Sequence, residues 1–143
     1  MSSQNVGYLL HHITSVLARN SDQVLLEQLG IGFSQFKILL ILQESPGVRQ
    51  KTLAERLGQT EASVSRQIKL LIDGGLASSQ VSPRSRREHL TYLTAKGTKV
   101  IDRSLEILNN YHAPVFAGLS EKQQQQLSDL LATVHTSICQ REH

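Results

Sequence analysis

The 143-residue chain has no tryptophan, three tyrosines, three phenylalanines and a single cysteine, Cys139. One cysteine excludes an internal disulfide and fits a reducing compartment. With aromatics at 4%, the core falls to Leu, Ile, Val and Ala, a composition that favours helices. No apolar run approaches the roughly 20 residues needed to span a bilayer, and the opening MSSQNVGYLLHHIT lacks a basic segment followed by a long apolar one. These absences predict a soluble cytoplasmic protein with no membrane partner. The length suits one folded unit that buries a core without disulfides or metals.

Catalytic and metal signatures are also missing. There is no phosphate loop, no nucleophile elbow, and no histidine set with serine or cysteine in a readable motif. Six histidines are present, but His11 and His12 are adjacent and diverge around a helix, while His112 and His135 fall on other helices. None has the Cys/His/carboxylate spacing of a metal site. The expectation is a protein that is not an enzyme and holds neither cofactor nor metal.

What is present is charge, unevenly placed. The net charge of +3 is mild, yet Arg49 to Arg103 holds eleven Lys/Arg against five Asp/Glu, a local +6 that leaves −3 for the rest. A basic centre between acidic flanks suggests that the middle meets a polyanion while the ends do something else.

Hydrophobic spacing organises the chain. Val6, Leu9, Leu10, Ile13, Val16 and Leu17 mark one face of a helix running to about Leu29. A second helix, with Ser34 as its cap, runs to about Glu44. Its Phe36, Ile38, Leu39, Leu40, Ile41 and Leu42 are dense enough to require burial. RQKTLAERLG and QTEASVSRQIKLLIDGG then read as two short helices around a tight turn. Thr60 caps the second, Glu61 suits its positive end, and Val64, Ile68 and Leu71 point inward. Ser63, Ser65, Arg66, Gln67 and Lys69 face outward, as the second helix of a helix-turn-helix requires.

LASSQV and EHLTYLT follow as two strands around an arginine-rich turn, SPRSRR, whose Arg84, Arg86 and Arg87 have no apolar neighbour to bury them. Thr94 caps a long helix to about Ala117, which Pro114 kinks or ends early. Ser120 and Gln123 form a capping box for a last helix, with Leu127, Leu130, Leu131, Val134 and Ile138 on one face. The fold class is therefore mostly α with a small β-hairpin wing (α+β). In a winged helix-turn-helix of this kind, one helix enters the major groove and the hairpin reaches the backbone or minor groove.

LGIGFSQFKILLIL, KTLAERLGQTEASVSRQIKLLIDGGL and SPRSRREHLTYLTAKG resemble, in order, the second helix, helix-turn-helix and wing of MarR-type transcriptional regulators. The likeness is close over Gly30 to Gly97. It implies a homodimer on a pseudo-palindromic double-stranded DNA site, with residues 1–30 and 98–143 as dimerisation helices and 31–97 as the DNA-binding module. It implies DNA contacts from Ser63, Ser65 and Arg66, and a minor-groove role for Arg86. Gln67, Lys69, Arg84 and Arg87 complete the expected DNA-binding set.

The family usually has Asp where this chain has Ser85, which predicts a less ordered free wing and a steeper salt dependence. The resemblance further implies a small aromatic or phenolic effector, for which His11, His12, Arg19 and His112 are candidate contacts. A repressor is the leading expectation. The alternative is a dimeric small-molecule-binding or redox-responsive module, acting through Cys139 and not primarily on DNA.

Overall fold

The computed structural model describes residues 5–141. In chain order the elements are α1 (Val6–Leu29), α2 (Phe33–Glu44), β1 (Val48–Arg49), α3 (Gln50–Leu57), α4 (Glu61–Asp73), β2 (Ala77–Ser82), β3 (Ser85–Leu93), α5 (Ala95–Phe116) and α6 (Glu121–Arg141). They divide into two compact units, the first ending at Leu108 and the second starting at Asn109.

Helix α2 is the centre of the first unit because it is apolar on every side. Phe36, Ile38, Leu39, Ile41 and Leu42 are all buried, and Leu40 packs against the same core. Around it gather Leu25 of α1, Leu53 of α3, Val64, Ile68 and Leu71 of α4, and Ile101 of α5. The cap of α2 differs from expectation. Ser34 lies inside the helix, and Gly32 is the N-cap. A glycine has no side chain to cap with, so the first amides are served by neighbours. Gly32 N donates to Gln35 Oε1 at 3.3 Å and Phe33 N to Asp22 Oδ1 at 3.0 Å.

The sheet has three strands in the order β1-β3-β2, not the two expected. Strand β1 is two residues long, too short to show any period in the sequence. It pairs antiparallel with β3 through Val48–Thr91 and Arg49–Leu90. At the start of α5, Thr94 Oγ1 accepts from Gly97 N at 3.0 Å and donates to Gly75 O at 2.7 Å, so one hydroxyl caps the helix and ties it to the end of α4. Pro114 does not end α5, which continues to Phe116.

In the second unit the capping box forms as the sequence suggests: Ser120 N donates to Gln123 Oε1 at 2.9 Å and Gln123 N to Ser120 Oγ at 3.2 Å. Helix α6 buries no residue, and Leu130, Leu131, Val134 and Ile138 stay exposed. Helix α1 likewise leaves Val6, Leu9 and Ile13 uncovered. Among the described residues no single helix is long and apolar enough to cross a membrane.

Candidate nucleic-acid interface

The turn between α3 and α4 is made by Gly58, at φ 62°, a left-handed conformation that closes α3 and that other residues adopt only under strain. Gln59 and Thr60 complete it. Thr60 Oγ1 accepts from Ser63 N at 3.1 Å, so the predicted cap is in place. Val64, Ile68 and Leu71 then fix the inward face of α4. At 100° per residue this leaves Ser65, Arg66 and Lys69 exposed on the outer face. Ser63 is half-buried, its hydroxyl 3.4 Å from Gln59 Oε1.

Gln67 does not join the exposed set. It lies beside Leu71 at the edge of the inward face and turns inward, donating from Nε2 to Gln59 Oε1 at 3.1 Å. Its own Oε1 is buried without a hydrogen-bond partner. Gln59 Nε2 in turn donates to Ser34 Oγ at 2.9 Å. The serine expected to cap α2 and the glutamine expected on the DNA face thus belong to one part-buried polar network, which links α2, the turn and α4. Such networks fix the orientation of an element against its neighbours.

The wing departs from simple strand alternation. The turn is Pro83-Arg84, between the Ser82–Ser85 pair, and the register shifts between Val81 and Ser82. Val81 faces His89 while Ser82 faces Ser85, so Arg86, Arg87 and Glu88 bulge from β3. A bulge breaks the two-residue period and re-aims side chains. Arg86 and Arg87 are consecutive yet both exposed, as is Arg84 at the tip. Two of the three arginines therefore sit on a strand, where the sequence suggested a turn. Serine hydroxyls take up local amides: Arg84 N donates to Ser82 Oγ at 3.2 Å, and Arg87 N to Ser85 Oγ at 3.3 Å. Ser85, the departure from the family pattern, is thus a backbone acceptor within the bulge, and pairing runs to the tip.

Sequence reasoning missed Arg49, Thr52 and Glu88. With Ser82 and Arg84 they line a cavity of about 410 Å³ between the start of α3 and the wing. Arg49 Nη1 lies 3.3 Å from Glu88 Oε1. The short basic run at Arg49 to Lys51 was the only available signal, since the pairing depends on β1.

The expected effector residues fall in both units. His11, His12 and Arg19 are exposed along α1, with His12 stacked on Tyr8 at 6.2 Å. His112, half-buried on α5, meets Tyr111 edge-on at 5.6 Å. A separate cavity of about 420 Å³, lined by Ile31, Leu70, Leu76, Lys96 and Val100 among others, involves none of these four. Cys139 is exposed, its Sγ 3.6 Å from His135 Nε2.

Known proteins agree with this architecture. A family model described as MarR family matches residues 29–88, from the end of α1 through the bulge of the wing. An HTH-type transcriptional repressor of Mycobacterium tuberculosis is 29% identical over 126 residues, covering 88% of this chain and 90% of that protein. The HTH-type transcriptional regulator PetP of Rhodobacter capsulatus is 36% identical over 81 residues, which are 57% of this chain and 48% of PetP. Among solved structures, apo MarR from E. coli superposes with a TM-score of 0.85 at 21% identity, covering 94% of this chain and 98% of that one. CouR from Rhodococcus jostii, bound to p-coumaroyl-CoA, gives a TM-score of 0.73 at 22% identity, covering 92% of each chain. The matched segment holds the whole helix-turn-helix and its arginine wing, and the likeness of fold extends through the flanking helices: the chain is similar to MarR-type winged helix-turn-helix transcriptional regulators over residues 29–88 and shares their fold.

Proposed function

We propose that the protein is a homodimeric repressor that binds a pseudo-palindromic operator in double-stranded DNA. The observation that carries this reading is the outward face of α4. Three packed apolar residues hold the helix from behind and leave Ser65, Arg66 and Lys69 exposed. Short serines allow close backbone approach, and Arg66 is long enough for bidentate contact with a guanine edge. The bulged wing adds Arg84, Arg86 and Arg87, whose guanidiniums suit the concentrated negative potential of a narrow minor groove. Lys69 contributes chiefly phosphate affinity.

The uncovered apolar faces of α1 and α6 support dimerisation through residues 1–30 and 98–143. Val6 is 68% exposed and Leu130 67%, and clustered apolar exposure of this kind marks association surfaces. A dimer sets half-sites about one helical turn apart, roughly 34–36 Å. Release by a small aromatic or phenolic effector is the finer part of the proposal, supported by CouR's complex with p-coumaroyl-CoA. His11, His12, Arg19 and His112 are its candidate contacts.

Selection of bound fragments from random DNA tests the reading directly. The expected product is an inverted repeat; fragments without symmetry or consensus would refute it. On the selected duplex, Arg66→Ala is expected to weaken specific binding by about 10–100-fold and binding to scrambled duplex by much less. Equal losses would reduce Arg66 to a phosphate contact.

A further inference from the structure

Between the start of α3 and the wing lies a charged pair that the recognition-helix reading does not use. Arg49, the last residue of β1, is the N-cap of α3, and Glu88 closes the bulge of β3. Arg49 Nη1 donates to Glu88 Oε1 at 3.3 Å, and the two side chains are 57% and 43% exposed. That is one long contact from a group with five N–H donors, so most of the guanidinium remains available. Arg56 offers a contrast: it donates to Glu44 Oε2 at 2.9 Å and approaches Ser45 Oγ at 3.4 Å.

Arg49 and Glu88 border two cavities. One, of about 410 Å³, adds Arg84 and the hydroxyls of Thr52 and Ser82. The other, of about 210 Å³, adds Lys51, Arg87 and His89, and a second carboxylate, Glu61. A cation held loosely by one carboxylate, with further cations on both sides, is an anion site already occupied by the protein's own anion.

We propose that Arg49 is a backbone-phosphate ligand of the DNA interface and that Glu88 is a resident carboxylate which the phosphate displaces. Glu88 thereby sets the ratio of specific to non-specific binding. The inference rests on the DNA-binding reading above. An exposed, long ion pair stabilises the protein little, so exchanging carboxylate for phosphate costs little where a phosphate is delivered in register. The guanidinium fork donates to two phosphate oxygens as readily as to the two oxygens of a carboxylate.

Docking of α4 in its own sequence fixes that register, and the swap completes. In loosely registered complexes Glu88 stays on Arg49, which then releases no counterion, and the carboxylate repels the backbone. Non-specific complexes depend on phosphate contacts alone, so they bear the larger penalty.

The test measures affinity of the full chain for a selected duplex and a scrambled one across a salt series. Glu88→Gln is expected to tighten binding to the scrambled duplex by about 3–10-fold and to steepen its salt slope by about one unit. The selected duplex should gain less than about twofold, its phosphate already having displaced the carboxylate. Glu88→Ala should move both values the same way, and urea unfolding of each variant checks that the fold is retained.

In the Arg49→Ala background the Glu88→Gln gain should vanish. A gain that persists there would make Glu88 a bulk charge and overturn the exchange, as would equal gains on both duplexes or no gain at all. If selection returns no consensus, the operator reading fails by itself. The coupling of Arg49 to Glu88 on scrambled duplex is read independently of that result.

Discussion

Gly97 offers a sign test of the packing argument. It occupies the first turn of α5, in TAKG, and is buried. Helix propensity alone says that alanine there stabilises the fold by up to about 1 kcal/mol. Packing says the opposite. A Cβ at Gly97 would overlap the backbone carbonyl oxygen of Leu76 and come within 2.6 Å of Leu93 Cδ1. The leucine methyl has some freedom to rotate, but the carbonyl has none to spare. Leu76 O accepts from Thr94 N at 3.1 Å, and Leu76 N donates to Leu71 O at 2.8 Å, so the Leu76 backbone is held through both its amide and its carbonyl.

Overpacking against fixed backbone costs about 1–3 kcal/mol, towards the upper end here because α5 itself must move. Subtracting the propensity gain leaves a net loss of about 2 kcal/mol for Gly97→Ala. Urea unfolding followed by circular dichroism should show a midpoint lower by about 1 M. Gly118→Ala is the control, because nothing lies within 4 Å of its added methyl, and its effect should stay within about 0.5 kcal/mol. An unchanged or raised midpoint for Gly97→Ala would refute the close approach of α5 to Leu76, and with it the support of the wing's base.

Arg86→Ala should weaken operator binding at low salt and reduce the salt slope by about one, so that the defect shrinks at high salt; fluorescence anisotropy over a salt series reads both. No change at low salt would remove Arg86 from the interface. Leu130→Asp places a charge on the exposed apolar face of α6 and is expected to turn a dimer into a folded monomer. Sedimentation velocity reads the mass, and an unchanged sedimentation coefficient would exclude that face from the interface.

Local signals reached far into this fold. The dense apolar run of α2 demanded burial, and five of its six named residues are buried. Thr60, Thr94 and the Ser120–Gln123 pair were legible as caps because capping acts over three residues and needs nothing distant. Side chains near the boundary of a helix face were not legible. Gln67 borders Leu71 at the edge of the inward face of α4, and the presence of Gln59 at the end of the preceding turn decides that it points in. The cap of α2 was likewise misplaced at Ser34, since Asp22, which serves Phe33 N, lies 11 residues away.

The sequence by itself determined the helical framework, the helix-turn-helix and the basic character of its wing, because periodicity, caps and charge are read over a few neighbouring residues. Tertiary structure alone decided three further things: the third strand, the bulge that exposes Arg86 and Arg87 together, and the meeting of Arg49 with Glu88 across 39 residues. Each depends on strand register. A register is a choice among long-range pairings, and the local pattern constrains it only weakly where both strands are polar.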